Sequence, residues 1–236
     1  MINNRFCWRV IFVPLVIVVV TRFESMIIEN LKKQKQSILN GDFELVYSTE
    51  IMALSNQHWT PSDVIKETLN FLCIKENSKI IDIGSGVGKF CISGAVLKPK
   101  CSFYGVECRE KFVDISIKIK DDYRIDNSYF INRDFSAIDF NNFNGVYFFN
   151  SFQENIDDKA VIDELSQLSY DLYCRHNQNL YLKLNNMPEG TRLATYQTND
   201  IFIPNSYKIT ENGFETKLKF YVKNNDVDKN TSIYEN

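Results

Sequence analysis

From residue 79 onward, the sequence alternates between short apolar segments and segments with helical periodicity. The apolar segments predict strands over Lys79–Ile83, Ser102–Val106, Ser128–Asn132, Gly145–Asn150 and Arg192–Tyr196. The segments between them predict helices over Val87–Leu97, Glu110–Asp122 and Asp157–Tyr173. This order of strands and helices is typical of a mostly parallel sheet with right-handed crossovers.

The C-terminal part of the sequence has no helix between its apolar segments. Residues 201–209 and 216–224 alternate between apolar and polar residues, and a turn is predicted between them at Glu211–Gly213. Two such segments joined by a turn predict an antiparallel hairpin. The sequence thus predicts an α/β fold, a Rossmann-like doubly wound, mostly parallel seven-stranded sheet with a C-terminal antiparallel hairpin.

Two helices are predicted ahead of the first strand. Met26 to Asn40 is rich in lysine and carries a partial apolar stripe. A second helix begins with Thr60 as the predicted N-cap and Pro61 at the first helical position.

The N-terminal segment contains an unusually long apolar run. Residues 10–20 are apolar, but 11 residues are fewer than the roughly 20 that span a bilayer. Three interpretations remain open: an extension upstream of a natural start at Met26, a membrane anchor or uncleaved signal, and an additional buried element. Membrane association is therefore expected only if residues 10–20 belong to the natural protein.

Charge and cysteine content exclude some classes of partner. The net charge of −3 provides no general cationic field, so nucleic acid is not an expected partner. Six cysteines without a C-x-x-C pair, and two histidines, do not predict a metal site. Cys73, Cys91 and Cys101 lie in apolar contexts, which indicates reduced core cysteines and a cytoplasmic location.

The stretch KIIDIGSGVGKF, residues 79–90, contains the candidate binding loop. A phosphate loop requires a glycine where Ile83 stands and a hydroxyl side chain where Phe90 stands. A dinucleotide loop requires a third glycine at Lys89, which is instead predicted to be an exposed residue of the first helical turn. Asp82, at the end of the strand, also disfavours a pyrophosphate, because both groups are anionic.

The cationic cofactor S-adenosylmethionine suits the same loop better. Asp82 precedes the G-x-G-x-G spacing of Gly84, Gly86 and Gly88, and glycines let the backbone approach a ligand closely. Glu107 ends the next predicted strand, where a carboxylate can accept hydrogen bonds from both ribose hydroxyls. A glycine turn that binds no ligand is the remaining alternative.

An ordered set of motifs resembles class I S-adenosylmethionine-dependent methyltransferases. The chain is most similar to the non-SET histone-lysine methyltransferases, the disruptor-of-telomeric-silencing family, from Thr60 to Tyr196. The segments that carry the resemblance are TPSD at 60–63, DIGSGVGKF at 82–90, FYGVE at 103–107, RDF at 133–135, FFNSF at 148–152 and MPEGTRLATY at 187–196. Ser151 stands where that family has a second asparagine.

The resemblance implies a role for each matching residue. Asp82 and the three glycines would line the aminoacyl arm of S-adenosylmethionine, and Thr60 would also contact the cofactor. Asp134 would accept from the adenine amino group, with Phe135 against the ring. It also implies that the S-adenosylmethionine-binding methyltransferase domain covers residues 59–224, after an apolar extension or anchor at 1–25 and a helical region at 26–58, and before a disordered tail at 225–236.

The predicted activity is transfer of a methyl group to a nucleophile, with a protein lysine amine as one expected acceptor. Asn150, which ends the fourth predicted strand, is the candidate catalytic residue, because an amide there can orient an amine or the sulfonium. Two alternatives stay open: a methyltransferase of small molecules or lipids, and a non-catalytic protein that binds S-adenosylmethionine.

Overall fold

The computed structural model describes residues 47–53, 58–164 and 166–224, together with single positions at 26, 29, 33 and 36. The four single positions are helical and lie within the helix predicted from Met26. The predicted N-terminal extension and the predicted C-terminal tail lie outside the described residues, so these domain boundaries stay predictions.

Seven strands and five α-helices have both of their ends in the described part of the chain. The helices are α1 (Thr49–Met52), α2 (Ser62–Leu72), α3 (Lys89–Leu97), α4 (Glu110–Asp122) and α5 (Tyr170–Asn186). The strands are β1 (Lys79–Ile83), β2 (Ser102–Glu107), β3 (Ser128–Asn132), β4 (Gly145–Phe148), β5 (Arg192–Tyr196), β6 (Tyr207–Gly213) and β7 (Leu218–Lys223).

The strands form one sheet in the order β3-β2-β1-β4-β5-β7-β6. The first five strands of that order pair in parallel, and β7 pairs antiparallel with both β5 and β6. The chain passes from β1 to β2 on one side and later to β4 on the other, so β1 lies at the switch point of the sheet. The predicted fold, with its C-terminal antiparallel hairpin, is confirmed.

Two apolar layers cover the sheet. Helices α2, α3 and α4 pack on one face, where Leu69, Ile92 and Phe103 are fully buried. Helix α5 packs on the other face through Leu180 and Leu184. Because both faces are covered, the central strands are almost continuously apolar, as in other buried parallel sheets.

The largest difference from the prediction concerns the last α-helix. The predicted helix Asp157–Tyr173 is wrong: this region contains one short 3₁₀ turn at Asp158–Ala160, and α5 begins only at Tyr170. Ser169 caps α5, and its own backbone N–H donates to the carbonyl of Asn155. Tertiary hydrogen bonds thus replace the helical ones, and the recurring apolar residues are not all buried, since Leu168 is 59% exposed.

Several predicted boundaries also shift. The fourth strand ends at Phe148 rather than Asn150, because Asn150 has a left-handed backbone with φ of 38°. The predicted turn at Glu211–Gly213 belongs to β6, and the turn follows at residues 214–217. In the hairpin, β6 begins only at Tyr207, after a 3₁₀ turn at Asp200–Phe202.

The start of α2 differs from the predicted N-cap. Pro61 occupies the cap position, and Thr60 makes no capping hydrogen bond. The Thr60 hydroxyl instead shares a hydrogen bond with the Tyr147 hydroxyl, at 2.8 Å. A long-range contact with a residue of β4 has therefore replaced a local one.

The described helices include none that is both long enough and apolar enough to cross a bilayer. Residues 10–20, the predicted membrane-association segment, lie outside the described residues.

Candidate functional site

A cavity of about 500 Å³ opens at the carboxyl ends of β1, β2 and β4. Small-molecule sites in open α/β sheets lie at this kind of switch point and have volumes in this range. Most of the predicted site residues meet there: Thr60, Asp82, Gly84, Gly86, Glu107, Asp134, Phe135 and Asn150 all line the cavity. Gly88, which was also predicted to contact the ligand, is not among the lining residues.

The glycine loop turns the chain sharply from β1 into α3. Gly84, Gly86 and Gly88 have φ of 72°, 53° and 80°, a region that L-residues with a side chain seldom adopt. Gly88 caps α3 and faces Phe130 and Ser116, which would lie 2.7 and 2.8 Å from a Cβ atom there. Gly88 therefore shapes the turn rather than the cavity wall.

Gly84 and Gly86 provide a matched pair for testing this loop. A Cβ atom on Gly84 would lie 2.4 Å from Ser151 Oγ, whereas one on Gly86 would meet nothing within 4 Å. We expect Gly84→Ala to lower the free energy of unfolding by about 2–4 kcal/mol, from backbone strain plus steric clash. Gly86→Ala should cost about 1–2 kcal/mol, from strain alone. Equal losses in urea unfolding would contradict the assigned contact with Ser151.

Asp82 presents a carboxyl group to the cavity from a buried position. It is 4% exposed, and the Cys91 thiol donates to its Oδ2 at 3.8 Å. Burial raises the pKa of Asp82 to about 8, the charge of Glu107 adds to the rise, and the Cys91 thiol opposes it. A cationic ligand group beside Asp82 would stabilise the ionised form.

Glu107 ends β2 beside the glycine loop. Its Oε2 accepts from the backbone N–H of Gly86 at 3.1 Å, and its Oε1 accepts from the backbone N–H of Arg109 at 2.9 Å. These bonds fix the side chain and still leave acceptor positions on the carboxylate, which has about four lone-pair sites. The pairing of Glu107 with the loop was not predicted.

Arg109 joins Glu107 to the segment that follows β4. It is 5% exposed, and its guanidinium binds Glu154 (Nη2–Oε2, 2.5 Å) and Asp163 (Nε–Oδ2, 3.0 Å). It also donates to Ser166 Oγ at 3.0 Å and lies 3.7 Å from Glu107 Oε1. We call these five residues the Arg109 cluster. The cluster was not predicted from the sequence, because Glu107 and Arg109 lie about 45 residues or more away along the chain from Glu154, Asp163 and Ser166.

Aromatic rings line one end of the cavity. The rings of Phe135, Phe152 and His176 contact one another, with centroids 5.1 Å apart for Phe152 with each of the other two and 5.8 Å apart for Phe135 with His176. Nδ1 of His176 is buried and has no hydrogen-bond partner among the described residues. Burial lowers the pKa of His176, so the neutral imidazole is favoured. His176 lies on α5, and the misplaced helix prevented its prediction.

Asp134 lies at the same end of the cavity, on the surface. It caps the 3₁₀ turn Phe135–Ala137, and its Oδ1 accepts from the backbone N–H of Ser136 at 2.7 Å. Phe135, the next residue, is buried against Phe152. The structure thus gives Asp134 a local capping role and leaves its Oδ2 without a hydrogen bond described there.

Asn150 and Ser151 follow the carboxyl end of β4, and Ser151 lies beside Gly84 of the glycine loop. Asn150 Nδ2 donates to Gln153 Oε1 at 3.3 Å, and Ser151 Oγ donates to the carbonyl of Ile83 at 2.7 Å. Ser151 therefore ties the β4 end to the β1 end and occupies the space above Gly84. Asn150 lines the cavity with an amide, and its catalytic role stays a prediction.

Lys89 is buried, although the sequence predicted an exposed side chain. It is 6% exposed, lines the cavity, and holds its Nζ 5.3 Å from the centroid of the Trp59 ring. The prediction was wrong because the helix-start pattern does not show that Trp59 covers the first turn of α3.

Among the described residues, no group of three or more His, Cys, Asp or Glu side chains is arranged to hold a metal ion.

Comparison with known proteins finds a domain model and solved structures that are similar to this chain. The model of a family described as "Methyltransferase domain" matches residues 74–180. An RNA methyltransferase of Salinibacter ruber, solved with S-adenosyl-L-homocysteine, is 17% identical with a TM-score of 0.51, and the match covers 72% of this chain and 96% of that one.

Two further solved structures share the fold. The Escherichia coli protein yhhF is 11% identical with a TM-score of 0.51, over 70% of this chain and 86% of that one. TrmN of Thermus thermophilus is 13% identical with a TM-score of 0.50, over 67% of this chain and 47% of that one. No curated protein sequence matches this chain.

Proposed function

We propose that this protein, a methyltransferase by its domain match and its fold, binds S-adenosylmethionine in the cavity and transfers the methyl group to a nucleophilic acceptor. One observation carries the proposal. Asp82, the glycine loop and Glu107 lie at adjacent strand ends around a single cavity. That combination suits a ligand with a cationic end and a ribose, and it does not suit a pyrophosphate.

The groups present fit S-adenosylmethionine. The space beyond Gly86 is open, so the backbone leaves room for an aminoacyl arm. The buried carboxyl of Asp82 faces the cavity as an acceptor for an ammonium group. At the other end, the unsatisfied Nδ1 of His176 and the ring of Phe135 offer a polar atom and an apolar surface to a base.

Each residue then has a distinct task in binding. Asp82 holds the ammonium group, Glu107 accepts from the ribose hydroxyls, and Asp134 accepts from the amino group of the adenine. Ser151 holds the carboxyl end of β4 against the carboxyl end of β1. The part of the cavity that would bind the methyl acceptor therefore keeps its shape.

The chemistry requires alignment more than proton transfer. S-adenosylmethionine supplies a methyl group on a positively charged sulfur. Asn150 orients the incoming nucleophile through its amide, and the aromatic rings of Trp59 and Phe149 at the cavity wall exclude water. Positioning two reactants and excluding water lowers the barrier to such a displacement.

We further propose a protein lysine amine as the acceptor. The ordered resemblance from Thr60 to Tyr196 supports it, and the net charge of −3 does not favour nucleic acid. The RNA methyltransferase of Salinibacter ruber has the same fold, so fold alone does not choose between these acceptors.

Cofactor binding is the first test. In isothermal titration with S-adenosylhomocysteine, Asp82→Ala and Glu107→Ala should each weaken binding by about tenfold or more, because each removes a charge-assisted hydrogen bond. Asp126→Ala, an exposed aspartate outside the cavity, serves as the control and should bind as wild type does. Unchanged affinity in both carboxylate variants would refute the proposed site.

The acceptor is tested by transfer of a radiolabelled methyl group to a cell lysate. We expect label in protease-sensitive material, and acid hydrolysis should release it as methyl-lysine. Label in nuclease-sensitive material or in small molecules would reject the lysine proposal and keep the methyltransferase. No transfer, together with tight binding, would indicate a non-catalytic binding protein.

A further inference from the structure

Two carboxamide side chains follow the adjacent strands β4 and β5 at corresponding positions. Phe148 of β4 pairs with Thr195 of β5. Asn150 lies two residues beyond Phe148, and Gln197 lies two residues beyond Thr195. Neighbouring strands are about 4.8 Å apart, and both side chains line the same cavity. The parallel register therefore brings two carboxamides, which we call the carboxamide pair, to one part of the cavity.

Both residues of the carboxamide pair have a left-handed backbone. The angle φ is 38° at Asn150 and 53° at Gln197. Residues other than glycine seldom adopt this region, and asparagine is the more common of these two residue types there. The backbone N–H of Gln197 donates to the carbonyl of Lys217 at 2.8 Å, so the turn after β6 holds this conformation. Strained positions of this kind cluster at functional sites.

The oxygen atoms of the carboxamide pair are available as hydrogen-bond acceptors. Asn150 Nδ2 donates to Gln153 Oε1 at 3.3 Å, which orients the amide and leaves Oδ1 without a partner in the described part of the chain. The Gln197 side chain is exposed and makes no hydrogen bond to another described residue. Each carboxamide oxygen has two lone pairs, so each can accept from a ligand.

Aromatic rings lie next to the carboxamide pair. Phe149 directly precedes Asn150, and its ring meets that of Tyr196 edge-on, with centroids 4.9 Å apart. Phe149 and Trp59 also line the cavity. Apolar surroundings strengthen hydrogen bonds to the carboxamides, and they provide a surface for the methylene groups of an alkyl chain.

A primary amine matches two neutral acceptors of this kind. A neutral amine has one lone pair, which must point at the methyl group, and two N–H groups, which need acceptors elsewhere. Two carboxamide oxygens accept from both N–H groups and leave the lone pair free. A hydroxyl offers one O–H and a thiolate offers none, so either would leave a carboxamide oxygen unsatisfied.

We propose that Gln197 binds the methyl acceptor together with Asn150, and that the carboxamide pair selects a primary amine. This inference rests on the proposed function and adds a second residue that binds the acceptor. The amine loses a proton to water as it enters the cavity. Its nitrogen lone pair then forms the new N–C bond while the C–S bond breaks and leaves its electron pair on sulfur. The positive charge thus passes from the sulfonium to the methylated nitrogen.

Binding of small probes to the protein loaded with S-adenosylhomocysteine tests the carboxamide pair. The probes n-butylamine and n-butanol share an alkyl chain and differ in their polar group. At about pH 9.5, roughly a tenth of an alkyl amine is neutral, and saturation-transfer NMR measures weak dissociation constants. Gln197→Met should weaken n-butylamine binding by about three- to tenfold, the usual effect of one neutral hydrogen bond. It should leave n-butanol binding unchanged, because Asn150 alone accepts from the single O–H.

Two further variants separate the carboxamide from a general effect of substitution. Gln178 is an exposed glutamine of α5 outside the cavity, so Gln178→Met should bind n-butylamine as wild type does. Gln197→Glu keeps the length of the side chain and its acceptor oxygens, and it should retain n-butylamine binding. Isothermal titration with S-adenosylhomocysteine should give the wild-type affinity for all three variants, which shows that they are folded.

Methyl transfer provides a second measurement. With radiolabelled S-adenosylmethionine and a cell lysate, Gln197→Met should form labelled methyl-lysine about tenfold more slowly than wild type. Gln178→Met should form it at the wild-type rate.

The outcomes distinguish this inference from the proposed function. Equal weakening of n-butylamine and n-butanol in Gln197→Met, or no weakening of either, would overturn the role of Gln197 and leave the cofactor site intact. Label found only on hydroxyl or thiol acceptors would also overturn it and would keep the methyltransferase. Wild-type protein that does not bind S-adenosylhomocysteine would overturn the proposed function, and the inference with it.

Discussion

Replacing Arg109 with methionine is expected to lower the free energy of unfolding by about 3–5 kcal/mol, the usual cost of removing one partner from a buried ion pair. The side chain of Arg109 is 5% exposed, and those of Glu107 and Glu154 are 6% and 15% exposed. The substitution leaves these carboxylates together in a site shielded from water, where mutual repulsion is strong. Urea unfolding of the ligand-free protein measures the loss.

A surface ion pair provides the control for this experiment. Lys100 binds Glu76 at 2.5 Å, but their side chains are 69% and 67% exposed. Lys100→Met should therefore change stability by only about 0–1 kcal/mol. If Arg109→Met cost no more than Lys100→Met, the cluster would not be a buried network that stabilises the cavity.

Arg109→Met should also weaken cofactor binding, since the cluster holds Glu107 in place. Arg109 does not contact the ligand in our scheme, so this effect operates through position. Arg109→Lys would keep the positive charge but would lack the forked guanidinium that binds Glu154 and Asp163 together. We expect Arg109→Lys to recover part of the stability and part of the affinity.

The affinity for S-adenosylhomocysteine should rise about fiftyfold between pH 6 and pH 8. With a pKa of about 8, Asp82 is ionised in about 1% of molecules at pH 6 and about half of them at pH 8. Only the ionised carboxylate attracts the ammonium group of the ligand, and that group stays protonated over this range. Binding must displace the proton, so affinity increases with pH and levels off above about pH 8.

The same carboxyl group affects the ligand-free protein in the opposite direction. Its pKa is higher in the folded protein than in the unfolded chain, so its contribution to stability is lost as pH rises toward 8. Asp82→Asn should remove both pH dependences, and 5′-methylthioadenosine, which has no ammonium group, should bind wild type without the pH-dependent gain. An affinity that stays flat from pH 6 to pH 8 would contradict the assignment of Asp82.

The parts of the site that could be predicted come from consecutive residues. Asp82 and the glycines lie within seven consecutive residues at a strand end, and parallel strands bring their carboxyl ends to one edge. Glu107 follows from the same rule applied to the next strand. For these residues, the local pattern and the parallel topology together determine the position.

The residues that were missed depend on contacts between distant segments. Residues 157–173 have the apolar spacing of a helix, yet Arg109 binds Asp163 and Ser166, and Asn155 binds the backbone at residues 167 and 169. These tertiary bonds compensate for the missing helical ones. The shift of α5 to Tyr170–Asn186 then brings His176 to the cavity, which no spacing rule indicated.

The sequence by itself determined the order of strands and helices, the class of sheet and the acidic residues at the ends of β1 and β2. These features follow from hydrophobic periodicity and from the few backbone conformations that glycine alone tolerates. Only the tertiary structure decided that Lys89 is buried beneath Trp59, that Ser151 fills the space above Gly84, and that Arg109 binds three acidic residues. Burial and charge pairing depend on neighbours that lie far away in the sequence, and so no local pattern contains them.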